Sequence, residues 1–127
     1  MKAMWVYEQK TGRMLRHGVL VAVGYSGAPG FINDPESEGI AAHGPIPRGL
    51  YRMTAVVHES KTVGPLAIAL APVGHDARGR CAFMVHGDSV AAPGTASRGC
   101  IIMPRHVRID MSRGSGLPGE RGLLEVV

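Results

Sequence analysis

The chain contains no long hydrophobic run. Its longest purely aliphatic stretch runs from Val19 to Val23, far short of the ~20 residues a membrane-spanning helix needs, so no membrane insertion is expected. The opening Met1-Lys2-Ala3-Met4-Trp5-Val6-Tyr7 lacks the apolar core and small-residue cleavage site of a secretory signal. The protein is therefore expected to be made in the cytoplasm and to need a route other than general export. Aromatic residues are few: three Tyr, two Phe and one Trp, with no basic run interleaved among them. That argues against nucleic acid as a partner. Lysine is scarce too, so the net charge of +4 is carried mostly by dispersed arginine, the side chain best shaped to grip carboxylates. Only two cysteines are present, too few for a disulfide framework. Gly-x-Ser-x-Gly, phosphate-loop and His-Glu-x-x-His patterns are all missing, and neither metal nor cofactor is expected.

What the chain has in quantity is glycine (18) and proline (9), set between aliphatic runs. That punctuation fits short strands joined by frequent turns. With 127 residues and no linker or internal repeat, residues 1–127 read as a single domain. Strands are expected at 4–7, at 14–23 with Gly18 inside, at 50–58, at 65–71 and at 81–85. In the strand at 50–58, Tyr51, Met53, Ala55 and Val57 would share a face. Residues 104–111 fit a short helix opened by Pro104. From Gly24 to Gly49 periodicity is lost, and this segment reads as a loop flanking a cleft; within it Gly24-Tyr25-Ser26-Gly27 reads as a turn. The fold class is mostly β, a sandwich or curled sheet with one short helix.

Chemistry concentrates near the C-terminal end. His86 closes an apolar run and is followed by Gly87-Asp88-Ser89; fourteen positions on, Cys100 sits in Ser97-Arg98-Gly99-Cys100-Ile101. A thiol is a useful nucleophile only as thiolate, and a neighbouring imidazole is the usual means of making one at neutral pH. Gly99 allows a sharp bend and leaves backbone N–H groups to face a developing oxyanion.

These two stretches resemble the active-site pattern of the L,D-transpeptidase (YkuD-like) family: His-Gly, roughly a dozen residues, then Ser-x-Gly-Cys and an aliphatic residue. Upstream, residues 44–53 (Gly-Pro-Ile-Pro-Arg-Gly-Leu-Tyr-Arg-Met) resemble the family's segment entering a core strand, and residues 122–127 its closing strand. Arg98 stands where most members have His, and Ile102 where many have Arg or Asn. In these departures the chain looks more like the small L,D-transpeptidase-like toxin domains delivered by type VI secretion. The resemblance implies a β-rich L,D-transpeptidase-like fold and L,D-carboxypeptidase or L,D-transpeptidase action on peptidoglycan stem peptides. It implies Cys100 as nucleophile, His86 as base, and the Gly87 carbonyl as the group orienting the imidazole. The N–H groups around Arg98, Gly99 and Cys100 would form the oxyanion hole. Ser97 would fix the turn, Arg98 would meet a substrate carboxylate or solvent, and Asp88 would brace the loop. It also implies an immunity protein as partner and action in the periplasm of a target bacterium.

Alternatives stand beside this. If residues 81–85 are one strand, Cys81 faces away from His86, roughly 16 Å along it at ~3.3 Å per residue. That opposes a Cys81–Cys100 disulfide and a zinc set of Cys81, His86, Cys100 and His106, and leaves Cys81 as a small buried hydrophobe. His17, His43, His58, His75 and His106 read as surface or capping residues, with His43 near enough to Gly44-Pro45 to line the cleft. A cysteine amidase or endopeptidase cutting elsewhere in the wall would use the same dyad. A non-catalytic wall-binding or secretion structural module would use neither residue.

Overall fold

The computed structural model describes residues 2–127. Nine strands follow in chain order: β1 Trp5–Glu8, β2 Arg13–Arg16, β3 Val19–Val23, β4 Tyr25–Ser26, β5 Gly49–Val57, β6 Ala67–Val73, β7 Phe83–His86, β8 Ile101–Ile102 and β9 Leu123–Val126. Among the described residues a single α-helix, α1 (Arg105–Ser112), lies between β8 and β9. The strands form one sheet in the order β3-β2-β1-β9-β5-β6-β7-β8-β4. Two neighbours are parallel, β1 with β9 and β7 with β8; the other pairs are antiparallel. The fold is thus mostly β with one short helix, and of the two architectures expected it is the curled sheet.

The curl follows from the strand order. β3 and β4 are opposite edges of the sheet, yet Gly24 alone separates them in sequence. The sheet must therefore bend round until its edges nearly meet. Gly24 fits there because it has no side chain: a Cβ would lie 1.8 Å from the Ile102 carbonyl oxygen. Its N–H donates to the Gly12 carbonyl at 2.8 Å.

The inside of the curl is the core. Alternation puts Trp5 and Tyr7 of β1, Phe83 and Val85 of β7, and Tyr51 and Met53 of β5 on the inner side, all buried. α1 begins after Pro104, whose φ of −66° suits a helix start, and it buries Val107 and Met111, one turn apart. Burying side chains of this size contributes roughly 1.5–3 kcal/mol each.

Four expectations are corrected. The stretch 14–23 is two strands, because His17 (φ 48°) and Gly18 (φ 78°) both adopt positive φ, the conformation of a tight two-residue hairpin turn. In β5 the register slips between Met53 and Ala55, so Ala55 is exposed and does not share the buried face of Tyr51 and Met53. Tyr25-Ser26 is not a turn but β4, paired with β8. Finally, β7 starts only at Phe83: Ala82 has φ 64°, which breaks the strand before Cys81. The face argument for Cys81 therefore fails, and Cys81 is exposed, not a buried hydrophobe.

Candidate active site

β7 ends at His86 and β8 begins just after Cys100. Their parallel register sets Val85 beside Ile101 and His86 beside Ile102. Extending it one residue puts Cys100 level with Met84. Alternation within the paired strands places Met84, His86 and Ile102 on one face, opposite Phe83, Val85 and Ile101 in the core, and Cys100 stands immediately before β8, after Gly99 at φ 136°. His86 thus ends one strand and Cys100 leads into its neighbour. They are not hydrogen-bonded to each other. Each opens to its own hollow. Cys100 lines a cleft of about 420 Å³ with Ala41, Ala42, Arg80, Cys81, Ala82 and Arg98. His86 lines another with Thr62, Val63, Gly64, Asp88 and Thr95. His43 lines neither.

The imidazole is buried, 3 % exposed. Its Nδ1 lies 2.9 Å from the Gly87 carbonyl oxygen. A carbonyl only accepts, so Nδ1 carries the proton and donates it there, which leaves Nε2 with its lone pair free. Burial pushes the His86 pKa down from 6.5; the Gly87 bond opposes this, Arg108 adds to it, and Asp88 opposes it. His86 is therefore a neutral base at neutral pH.

The thiol is also held neutral at rest. Burial pushes the Cys100 pKa above 9.0, and the Met84 N–H and the Arg80 charge pull it part of the way back. Its nearest oxygen partner is the Ala82 carbonyl, 3.9 Å from Sγ.

The turn before Cys100 is tied at two hydroxyls. Ser97 Oγ accepts from the N–H of Gly27 (2.9 Å) and of Gly99 (3.1 Å), and donates to the Cys100 carbonyl at 2.6 Å. Ser97 thus bonds the backbone of the cysteine, not its thiol. Ser26 Oγ donates to the Gly99 carbonyl and accepts from the Ile46 N–H, both at 2.8 Å. Since the Gly99 N–H is engaged by Ser97, it is not available to an oxyanion, contrary to the expectation; the N–H groups of Arg98 and Cys100 remain. Arg98 is exposed at the mouth of the cysteine cleft.

Asp88 bonds the loop it belongs to. Its carboxylate accepts from the Tyr25 hydroxyl and from the N–H groups of Ser89 (2.8 Å) and Gly94 (3.1 Å). Burial alone would raise its pKa, but these donors outweigh burial and hold it down.

Three residues that sequence reasoning passed over organise the surroundings. Arg80 donates to four backbone carbonyls, joining the 38–45 segment to the Arg98 turn. Arg108 of α1 donates to the carbonyls of Met103, Pro65 and Leu66. Glu38 is 5 % exposed and binds Gln9, Arg48 and Arg78 at 2.8–3.1 Å. Burial alone would raise the Glu38 pKa, but those hydrogen bonds outweigh it and hold the carboxyl at about 2. The 24–49 segment is thus a pinned wall whose tip, Ala41-Ala42, reaches the cysteine cleft. The only sequence cue was a short cluster of acids, Asp34, Glu36 and Glu38, within a Gly- and Pro-rich stretch.

The Tlde1 domain profile matches residues 21–118, which include both His86 and Cys100. The chain belongs to the Tlde1 domain family. This is a family of type VI secretion effectors, so the chain is an effector domain, and that membership points to secretion into target cells and to a cognate immunity protein. The Tlde1 match begins within β3 and stops before β9, so β1, β2 and β9 lie outside it although they complete the sheet. No curated protein matches the chain. No helix among the described residues is long and apolar enough to cross a membrane.

Proposed function

We propose that this effector domain is a cysteine-dependent, antibacterial enzyme acting on peptidoglycan stem peptides in the periplasm of a target bacterium. The observation that carries the proposal is the parallel pairing of β7 with β8, which brings the strand that ends at His86 beside the strand that Cys100 immediately precedes. The free Nε2 of His86 supports it further.

Both partners start neutral, so proton transfer accompanies attack. As Cys100 Sγ bonds to the scissile carbonyl carbon, His86 Nε2 takes the thiol proton. The carbonyl oxygen becomes an oxyanion facing the N–H groups of Arg98 and Cys100. Collapse breaks the C–N bond; the imidazolium returns its proton to the leaving amine, and a thioester remains on Cys100. Water then gives a carboxylic acid, the L,D-carboxypeptidase outcome. An amine acceptor gives exchange or a cross-link. The bond proposed is the one joining the L-centre of the diamino acid to the terminal D-residue. The two side chains are brought together when substrate fills the site; catalytic hydrogen bonds are often long before substrate binds.

Mass spectrometry of purified muropeptides after incubation tests the reaction. Loss of a terminal D-residue, or its replacement by an added D-amino acid, is expected from the wild type and not from Cys100→Ala. Cleavage at another bond would make the protein an amidase or endopeptidase. No change in any muropeptide would remove the enzymatic proposal. In cells, the domain should be harmless in the cytoplasm and should inhibit growth when fused to an export signal; equal toxicity in the cytoplasm would point to a different target.

A further inference from the structure

Arg80 lies between the last turn before β7 and the exposed Cys81, outside the His-Gly and Ser-x-Gly-Cys stretches. Its guanidinium uses both terminal nitrogens as forks. Nη1 donates to the carbonyls of Glu38 (2.7 Å) and Pro45 (2.9 Å). Nη2 donates to those of Gly44 and Arg98, both at 3.1 Å. The group stacks over Phe83, 5.2 Å from the ring centroid. Every one of these partners is neutral. Glu38, the nearby acid, spends its carboxylate on Gln9, Arg48 and Arg78, and among the described residues no carboxylate forms an ion pair with Arg80. The fork also explains Gly99: a Cβ there would stand 2.5 Å from Arg80 Nη2. A positive charge with no ion-pair partner among the described residues thus sits against the residue next to Cys100, in the wall of the same cleft.

We propose that Arg80 is a positioning residue for Cys100, clipping the 38–45 wall to the Arg98–Gly99 turn and presenting a fixed positive charge to the sulfur. It deepens the cysteine-enzyme proposal and, for turnover, rests on it. Two functions are separable in one side chain. The planar fork sets where the turn lies, and the charge favours the thiolate that forms on attack. Lysine can supply the charge but has one nitrogen, which cannot reach all four carbonyls.

The test is iodoacetamide alkylation across pH, with Cys100 and Cys81 followed separately by peptide mass spectrometry, alongside muropeptide turnover. Arg80→Gln should slow Cys100 alkylation at pH 7 by roughly tenfold and move its pH midpoint upward, with Cys81 unchanged. Arg80→Lys should keep Cys100 alkylation near wild type while kcat/KM falls at least tenfold, since the turn loses its clip. A Cys100 alkylation profile unchanged in folded Arg80→Gln overturns the proposal. If the Gln variant does not fold, Arg80→Lys decides alone: normal alkylation with reduced kcat/KM sustains the proposal, and full kcat/KM or an alkylation loss shared with Cys81 overturns it. The alkylation arm needs no substrate. Failure of the wild type to alter peptidoglycan would therefore remove the enzymatic proposal and leave the effect of Arg80 on the thiol still measured.

Discussion

On the thiol side of the site, Arg80 packs where a Cβ on Gly99 would lie; on the imidazole side, Arg108 packs where a Cβ on Gly87 would lie. Both arginines spend their donors on backbone carbonyls. The plan is shared, yet the electrical results differ. A fixed cation favours the ionised form of a thiol and disfavours that of an imidazole. Arg80 therefore draws the Cys100 pKa down against burial, while Arg108 joins burial in lowering that of His86. The same residue type makes one partner a readier acid and keeps the other an unprotonated base.

The comparison breaks most sharply if the two sides are unequal in turnover. Cys100→Ala should reduce product formation by at least ~10⁴-fold, and His86→Ala by nearly as much, because residues acting as a unit are non-additive. Cys81→Ala should stay near wild type. Muropeptide mass spectrometry with a circular-dichroism check of folding measures all three; comparable loss from Cys81→Ala would dismantle the assignment.

Acid should loosen the wall on the thiol side. The Glu38 pKa is about 2 when folded against 4.5 unfolded. A depressed carboxyl contributes stability that is whole above the unfolded value and is lost as pH falls through the folded one. Roughly 3 kcal/mol should disappear between about pH 4.5 and 2. His86 acts in the same direction: its neutral native form costs stability once the unfolded imidazole protonates, below 6.5. Urea melts across pH check this, and Glu38→Gln should flatten the lower part of the curve.

The two glycines sharpen the comparison. Gly99 has φ 136°, a conformation L-residues rarely adopt, and Arg80 is anchored at four points. Gly87 has no such dihedral, and the atom a Cβ would meet is Arg108 Nη2 at 2.9 Å. Gly99→Ala should cost about 2–3 kcal/mol and Gly87→Ala about 1 kcal/mol. Thermal melts, at about 4 °C per kcal/mol for a chain of this size, would separate them; equal costs would mean the two cradles are equally stiff.

The smallest effect concerns protonation. kcat/KM should rise along an acid limb lying below pH 6.5 and stay level until above pH 9.0, following the depressed base and the raised thiol. Arg108→Gln should shift only the acid limb, upward. A shift in the alkaline limb instead would show that the two cations do not act on separate partners.

What the sequence disclosed was local. The spelling around His86 and Cys100, the Gly- and Pro-punctuated strands, the helix after Pro104 and the loop at 24–49 all rest on neighbours within a few positions. What escaped it was long-range bonding to backbone carbonyls. Arg80 meets Gly44 and Arg98, Arg108 meets Pro65, and Glu38 meets Gln9, and no spacing encodes such partners. Single-residue backbone reversals also escaped it. Ala82 at positive φ put Cys81 outside the strand, His17 split one strand into two, and the bulge after Met53 flipped Ala55 outward. Alternation holds only until one residue steps out of the pleat.

The pairing of β1 with β9 has a kinetic consequence. Trp5 aligns with Leu124 and Tyr7 with Val126, and the Val127 N–H returns to the Tyr7 carbonyl at 2.9 Å. β1 must wait for the rest of this domain to be made before its inner neighbour β9 exists. Until then β1 and β2 are a bare hairpin, marginal in water, and β5 lacks one flank. Closing so large a loop before any contact rewards it slows folding toward the millisecond-to-second range of non-local β proteins. A nascent copy therefore passes through an interval in which the cleft has no finished sheet behind it, and the domain gains its shape only as β9 slots between β1 and β5.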